Sequence, residues 1–137
     1  MAQGAKHFRK RDAILSYLRD TDTHPSADMV YAHLKPQIQD LSLGTVYRNL
    51  SMFRQQGTIA SVGTVNGVER FDGNTDPHVH FICTGCDAVI DLPKLQVPTQ
   101  LTRSAEQQLG GMVACCQMTF TGLCSQCHYQ EKGGETA

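Results

Sequence analysis

The stretch HVHFICTGCDAVID at residues 78–91 decides how the second half of this 137-residue chain folds. It contains a C-x2-C pair, CTGC at 83–86, and a second pair, CSQC, follows at 124–127. Each pair directs two thiolates at one ion from a tight turn, and two pairs complete a tetrahedral sulfur shell, which selects zinc. The spacing therefore predicts a structural zinc site with four ligands: Cys83, Cys86, Cys124 and Cys127. Because so small a half has little core, the free energy of zinc binding becomes folding energy.

Two other chemistries for these cysteines stay open on the sequence alone. A dithiol redox centre needs only one C-x2-C pair, although two matched pairs favour zinc. The run CSQCH at 124–128 also satisfies the attachment motif of c-type haem. Haem attachment requires export, whereas the charged N-terminus MAQGAKHFRKRD has no apolar leader segment. We therefore expect His128 to be a surface residue that follows the zinc site.

A strand is predicted just upstream of the second cysteine pair. Apolar residues alternate with others there, which is the pattern of a half-buried strand; they are Met112, Ala114, Cys116, Met118 and Phe120. The alternation places Cys116 on the apolar face as a small core residue and Cys115 on the opposite face. Neither cysteine is assigned to a site.

The first half of the chain predicts three helices and a hairpin. One helix covers residues 6–18, where apolar residues recur at helical spacing. The second and third helices begin after the N-cap residues Ser26 and Ser42, and Gly57 ends the third as a left-handed terminator. The pair Asn66-Gly67, between two β-prone runs, is the usual signal of a two-residue hairpin.

This order of elements is that of a winged helix-turn-helix, in which the last helix enters the major groove and the hairpin lies along the DNA backbone. The face of the third helix opposite its apolar stripe presents Arg48, which can contact a phosphate or a guanine edge. The predicted DNA contacts are Thr45, Tyr47 and Arg48. The alternative is a three-helix bundle in which Arg48 is only solvated.

Composition and charge limit the classes of function. Apolar residues make up 40% and charged residues 18% of the chain, as in a soluble globular protein, and no apolar run is long enough to span a membrane. Residues 1–70 carry nine Lys and Arg against six Asp and Glu, whereas residues 71–137 carry three against seven. The cationic half can therefore face a phosphate backbone. We expect a cytoplasmic protein with no membrane partner.

A set of histidines and aspartates is the second group of possible metal ligands. His78 and His80 lie two residues apart on a predicted strand, so both imidazoles project from one face. Asp91 ends the next strand-like run, Asp72 ends the hairpin, and His24 lies in the loop between the first two helices. Spacing alone does not bring these residues together.

Five stretches together resemble the Fur family of metal-dependent bacterial repressors: THPSADMVY (23–31), SLGTVYRNL (42–50), ERFD (69–72), HVHFICTGCDAVID (78–91) and GLCSQC (122–127). The resemblance implies an α+β fold, with a winged helix-turn-helix DNA-binding domain at 1–72, a hinge at 73–77 and a small α/β dimerisation domain at 78–137. It implies a structural Zn²⁺ at the four cysteines. It also implies a regulatory Fe²⁺ or Mn²⁺ held by a second set: His24, Asp72, His78, His80 and Asp91.

Within the family, aspartates at the positions of Asp72 and Asp91 are typical of the peroxide-sensing PerR branch, whereas the iron-sensing branch has glutamates there. The resemblance therefore implies a homodimeric repressor, not an enzyme, that binds palindromic operator DNA when its regulatory metal is bound. Hydrogen peroxide is its one expected small-molecule signal, which acts through iron-catalysed oxidation of the ligands His24 and His78.

Two alternative functions are weighed against peroxide sensing. An iron- or manganese-responsive repressor of the same family differs only in what empties the regulatory site. A zinc-stabilised oxidoreductase needs a substrate pocket, of which the sequence gives no sign. In the preferred hypothesis the ligands come from both halves of the chain. One shared ion then fixes one domain on the other, and so sets the spacing of the recognition helices in a dimer.

Overall fold

The chain forms two units, with the division between Thr75 and Asp76. The computed structural model describes residues 2–76 and 78–136, and the side chains of residues 9–76 and 78–131. None of the described helices is both long and apolar enough to cross a membrane.

Three helices and two strands make up the first unit: α1 (Ala2–Asp20), α2 (Ala27–Leu34), α3 (Leu43–Gln56), β1 (Ala60–Val65) and β2 (Val68–Asp72). The side chain of Ser26 accepts a hydrogen bond from Met29 N at 3.3 Å, and that of Ser42 accepts one from Thr45 N at 3.1 Å. Gly57 ends α3 with a φ of 75°. The three predicted helix boundaries at these residues are therefore confirmed. Helix α1 is longer than predicted, because its polar ends carry no apolar periodicity for a pattern to detect.

The apolar stripes of the three helices pack into one core, which Phe71 of β2 joins. Burial of each large apolar side chain in such a core contributes about 1.5–3 kcal/mol. The buried residues of the core are Ile14, Leu18, Ala27, Val30, Leu34, Leu41, Val46, Leu50, Phe53, Ile59 and Phe71.

The predicted hairpin is present and places Asp72 at its open end. Strands β1 and β2 pair antiparallel from Val65–Val68 at the turn to Ala60–Asp72. Asn66 and Gly67 have φ values of 51° and 80°, and a two-residue turn with both φ values positive suits the twist of the flanking strands.

Gly73 holds the chain that leaves β2 against the end of α1. A Cβ atom at this position would lie 2.6 Å from the carbonyl carbon and oxygen of Leu18, and 2.8 Å from the nitrogen of Arg19. Because these are backbone atoms that cannot swing aside, only glycine permits this approach.

The second unit has a three-stranded sheet and two helices: β3 (Val79–Cys83), β4 (Val89–Leu92), α4 (Thr99–Leu109), β5 (Thr119–Gly122) and α5 (Ser125–Thr136). The strand order is β4-β3-β5, in which β4 pairs with β3 antiparallel and β5 pairs with β3 parallel. Among the described residues of this unit, the buried apolar ones are Val79, Cys83 and Val89. Its hydrophobic core is therefore minimal.

The strand predicted over residues 112–120 is wrong for most of its length. Strand β5 begins at Thr119, and upstream of it only the Met118 carbonyl adds to the ladder, by accepting from His80 N at 3.2 Å. Because His80 is opposite Thr119 and β3 begins at Val79, residues upstream of Met118 have no β3 residue to pair with. Alternation of apolar and polar residues predicts the two faces of a strand, but a strand also needs a neighbouring strand to accept its backbone hydrogen bonds.

The assignment of Cys116 to the core is also wrong. The residue is half-buried and lies in irregular chain, and Cys115 beside it is exposed. Neither α4 nor α5 is predicted from the sequence.

Candidate metal centres and the exposed face of helix α3

The parallel pairing of β3 and β5 brings the two C-x2-C pairs together. Cys83, the last residue of β3, is opposite Gly122, the last residue of β5. Both strands therefore end at one edge of the sheet, where a tight turn at 84–86 and the start of α5 carry the remaining cysteines. The amide and hydroxyl of Thr84 both donate to the Gly122 carbonyl, at 2.8 and 3.1 Å, and fasten the turn to the end of β5.

The four sulfur atoms have the spacing of a tetrahedral zinc site. All four lie within 4.8 Å of one another, and the sulfurs of Cys86 and Cys124 are 3.9 Å apart. Zinc–thiolate bonds of about 2.3 Å in tetrahedral geometry require sulfurs about 3.8 Å apart. The residues present therefore fit a closed four-sulfur site, and the prediction of structural zinc is confirmed.

Hydrogen bonds to sulfur give these thiols different pKa values. The backbone amides of Cys124 and Gly85 donate to Cys83 Sγ at 3.4 and 3.3 Å. Donation from Cys124 is the main reason why the pKa of Cys83 falls from 9.0 to about 6. The pKa of Cys127 rises to about 12, chiefly because its thiol hydrogen-bonds to the sulfurs of Cys83 and Cys124. A cation that binds all four sulfurs must displace the remaining protons, as zinc does at thiolate sites.

Two further observations favour zinc over the redox and haem alternatives. A Cβ on Gly85 would lie 2.9 Å from Cys127 Sγ, so the turn between the first two ligands is fitted closely around a third. His128 is exposed on α5, as predicted, and its amide donates to the Cys124 carbonyl at 2.8 Å.

The second unit also brings together two histidines and one aspartate. His80 on β3 is opposite Asp91 on β4, and His78 lies just before β3. The Nε2 atoms of His78 and His80 lie 3.1 and 3.3 Å from the same oxygen, Asp91 Oδ1. His78 Nδ1 is 2.6 Å from the Asp76 carbonyl oxygen, which accepts its proton in the tautomer that leaves Nε2 as the ligand nitrogen. Two imidazoles and a carboxylate are the donor set of non-haem Fe(II) sites with open positions.

The first unit brings together His24 and Asp72. His24 Nδ1 lies 3.5 Å from Asp72 Oδ2, and their side chains are 1% and 4% exposed. Asp72 Oδ1 accepts from Asn74 N at 2.9 Å, which orients the carboxylate. His24 has a φ of 51°, a left-handed conformation that costs a residue other than glycine about 1–3 kcal/mol. Strained backbone of this kind is concentrated at functional sites.

Arg70 is a residue of this region that the sequence analysis missed. Its Nε donates to the His24 carbonyl at 2.5 Å, and its Nη2 donates to the Thr23 carbonyl at 2.9 Å. Strand alternation could have indicated this residue, because Arg70 and Asp72 are two residues apart on β2 and their side chains project from the same face of the strand.

Helix α3 presents two of the three predicted DNA contacts to solvent. Arg48 is exposed and Tyr47 is half exposed. Thr45 differs from the prediction, because its side chain is buried between its neighbours on the helix. Its hydroxyl is 2.8 Å from Ser42 Oγ and accepts from Arg48 Nη2 at 3.1 Å. Thr45 therefore orients Arg48 instead of adding to the exposed face.

Residues 2–121 match the profile of the ferric uptake regulator family. The chain belongs to this family. A peroxide-responsive repressor, PerR, from Staphylococcus aureus is 33% identical to this Fur-family chain over 124 residues, which are 90% of this chain and 83% of the relative. The predicted family and its α+β fold are thereby confirmed, and the family is one of transcriptional regulators.

Solved structures show the same fold. The structure of a Campylobacter jejuni peroxide stress regulator superposes with a TM-score of 0.76 at 26% identity, over 92% of this chain and 94% of the other. The Helicobacter pylori ferric uptake regulator superposes with a TM-score of 0.72 over 88% of this chain and 80% of the other, at 21% identity, and supports the fold alone.

We expect the purified protein to contain about one zinc per chain, because four thiolates make one closed site. Cys83→Ser removes the buried ligand, so zinc and the folded second unit should be lost together. Cys115→Ser is the matched control, since Cys115 is exposed and outside the cluster, and it should keep both. Metal analysis by mass spectrometry and thermal unfolding by circular dichroism measure the two effects. A well-folded, zinc-free Cys83→Ser protein contradicts the zinc assignment.

Proposed function

We propose that this Fur-family protein is a homodimeric repressor that binds palindromic operator DNA when a regulatory Fe²⁺ or Mn²⁺ is bound, and releases the DNA when peroxide oxidises that site. The observation that carries the proposal is the pair of nitrogen and oxygen donor sets, His24 with Asp72 and His78, His80 with Asp91, in a relative of PerR. This function places the protein in the cytoplasm, with its DNA.

The two donor sets are proposed to bind one ion. Neither the pair in the first unit nor the triad in the second fills the coordination shell of Fe²⁺ or Mn²⁺ alone, whereas together they supply three imidazoles and two carboxylates. This set is harder than four thiolates, so the two metals of the protein select different sites. Binding by both sets couples the metal to the orientation of residues 1–72 relative to 78–137 through the hinge at 73–77.

Exposed apolar side chains of the second unit support dimerisation. Helix α4 has no buried side chain, although Leu101 and Leu109 lie on one face of it. These leucines are 47% and 69% exposed, and Ile90 and Phe120 on the sheet are 38% and 46% exposed. A two-fold dimer that packs these side chains against its partner would remove them from water.

The DNA-binding role is proposed for the first unit because its three helices and hairpin have the order of a winged helix. Helix α3 would enter the major groove with Tyr47 and Arg48 toward the bases. A dimer requires one spacing between its two α3 helices, since successive half-sites are a fixed distance apart. Metal binding that favours this spacing by about 1–3 kcal/mol per site is sufficient to switch operator occupancy.

Peroxide sensing is proposed because of the aspartates at 72 and 91 and the PerR relative. Fe²⁺ held at this site would supply the electrons for reductive cleavage of hydrogen peroxide, with the oxidation falling on the ligand imidazoles. The Nε2 atoms of His78 and His80 lie 3.1 and 3.3 Å from Asp91 Oδ1, so both imidazoles would be next to an ion bound by that carboxylate. Addition of one oxygen atom to a ring carbon of His24 or His78, with water as the other product, would weaken that side chain as a ligand, so the metal and then the DNA would be released.

A second function of the same class is an iron- or manganese-responsive repressor without peroxide sensing. The same donor set favours it equally, because three imidazoles and two carboxylates suit Mn²⁺ as well as Fe²⁺. The two functions differ in the response of the Fe²⁺ form to peroxide.

We expect Mn²⁺ to be required for tight binding of an operator selected from random duplexes. Arg48→Ala should weaken that binding by about 1–3 kcal/mol if Arg48 contacts a base, without a change in melting temperature. Arg103→Ala on α4 is the control, because it removes an exposed cation outside the first unit. Fluorescence anisotropy at matched salt measures each affinity. Equal affinities of the Arg48→Ala and Arg103→Ala proteins would show that Arg48 is only solvated.

The Fe²⁺ form should gain one oxygen atom on the peptide that contains His24 or His78 after a small excess of peroxide. The Mn²⁺ form should stay unmodified, because Mn²⁺ does not readily reduce peroxide. Asp91→Glu should keep metal-dependent DNA binding and blunt the oxidation. Peptide mass spectrometry detects the added oxygen. Oxidised cysteine with intact His24 and His78, in both metal forms, rejects peroxide sensing through iron and leaves the second function.

A further inference from the structure

The two faces of strand β2 contact different parts of the first unit. On one face Phe71 joins the core, and Glu69 Oε2 accepts from Arg54 Nη1 of α3 at 2.7 Å. On the other face lie Arg70 and Asp72, the side chains of which are turned toward the loop that carries His24. The proposed metal ligand Asp72 and the guanidinium of Arg70 therefore project from the same side of one strand.

Arg70 fastens the backbone of the His24 loop to this strand. It is 9% exposed, and it donates to the carbonyls of two consecutive residues, Thr23 and His24. A further hydrogen bond, from Phe71 N to the Pro25 carbonyl at 3.0 Å, ties the next residue of the loop to β2. A rigid guanidinium fork that engages two adjacent carbonyls fixes the loop in orientation as well as in position.

The φ of 51° at His24 requires such a restraint. A histidine held in the left-handed region persists only when its surroundings determine that conformation, and any loosening lets the residue return to commoner values. Rotation about φ at His24 would carry its imidazole away from Asp72, which it now approaches to 3.5 Å.

We propose that Arg70 is a positioning residue for the regulatory divalent cation, which holds His24 where its imidazole and the Asp72 carboxylate face the same ion. This inference rests on the proposed function, because it assigns a role at the same site. Arg70 itself offers no ligand atom. Its effect on the metal comes through the backbone of His24.

The test measures Mn²⁺ affinity by electron paramagnetic resonance on the full-length, zinc-loaded protein. Arg70→Met keeps the length of the side chain but removes its donors, and it should weaken Mn²⁺ binding by about tenfold to a hundredfold, as loss of supporting residues does at metal sites. Arg54→Met is the matched control, since it breaks the hydrogen bond of the other face of β2 and should leave Mn²⁺ affinity unchanged. Zinc content and melting temperature verify the fold of each variant.

A double-mutant cycle separates positioning from general destabilisation. If Arg70 acts through His24, Arg70→Met should cause no further loss of Mn²⁺ affinity in the His24→Ala background. Losses that multiply in the double variant, or an unchanged affinity of the Arg70→Met protein, overturn the inference.

If the Arg70→Met protein does not fold, the Arg70→Lys protein provides the same test. Lysine keeps a positive charge that can reach one carbonyl but cannot engage two carbonyls as the guanidinium does. The Mn²⁺ affinity of the Arg70→Lys protein should therefore fall between those of the wild-type and His24→Ala proteins. The ring signals of His24 in NMR spectra of the metal-free protein should also shift. Wild-type affinity and unshifted His24 signals overturn the inference. If the wild-type protein does not bind Mn²⁺, the proposed function and this inference are both overturned. If the wild-type protein and the Arg70 variant bind Mn²⁺ equally tightly, only this inference is overturned.

Discussion

Four thiolates at the ends of β3 and β5 hold the second unit together. This unit buries only Val79, Cys83 and Val89 as apolar residues among those described, so area burial supplies little of its stability. Zinc at four cysteines contributes about 10–16 kcal/mol of apparent binding energy in small domains, more than a core of this size provides. The first unit instead packs eleven buried residues into one core. The two halves of the chain are thus stabilised by different physical means.

The zinc site also prepares the proposed regulatory site. Strand β3 has Cys83 at one end and His80 near the other, and it pairs with β4, which carries Asp91. An ion that fixes the end of β3 to β5 therefore also fixes the strand that holds His80 opposite Asp91. In the first unit, β2 has a similar double role, because Phe71 anchors it in the core while Asp72 and Arg70 serve the His24 loop. In each unit, proposed metal ligands therefore lie on a strand that is held in place by other interactions, which are core packing for β2 and zinc for β3.

Much of this arrangement was predictable, because local rules determine it. The caps at Ser26 and Ser42, the left-handed Gly57 and the Asn66-Gly67 turn follow from backbone preferences that neighbouring residues settle. The four cysteines were predictable because C-x2-C spacing lets two thiolates converge on one ion from a tight turn, and two such pairs complete a tetrahedral shell. The failures involve long-range structure. Residues 112–117 alternate like a strand but have no β3 residue to pair with, since β3 begins only at Val79. Similarly, the bonds from Arg70 to the His24 loop join residues 46 and 47 apart. The burial of Thr45 is a local exception, in which the hydroxyl lies 2.8 Å from that of Ser42, three residues earlier.

We propose above that one regulatory ion takes ligands from both units at once. Electron–nuclear double resonance on the Mn²⁺ form of protein with ¹⁵N-labelled histidine counts the imidazoles that bind the metal. If one ion is shared, we expect couplings to three histidine nitrogens in the wild-type protein, and the loss of one coupling in each of the His24→Ala and His80→Ala variants. His33→Ala, which removes an exposed histidine of α2 outside the proposed set, should leave all three couplings in place. Two couplings that are insensitive to His24→Ala would show that the ion binds to the second unit alone, and would exclude a shared ion.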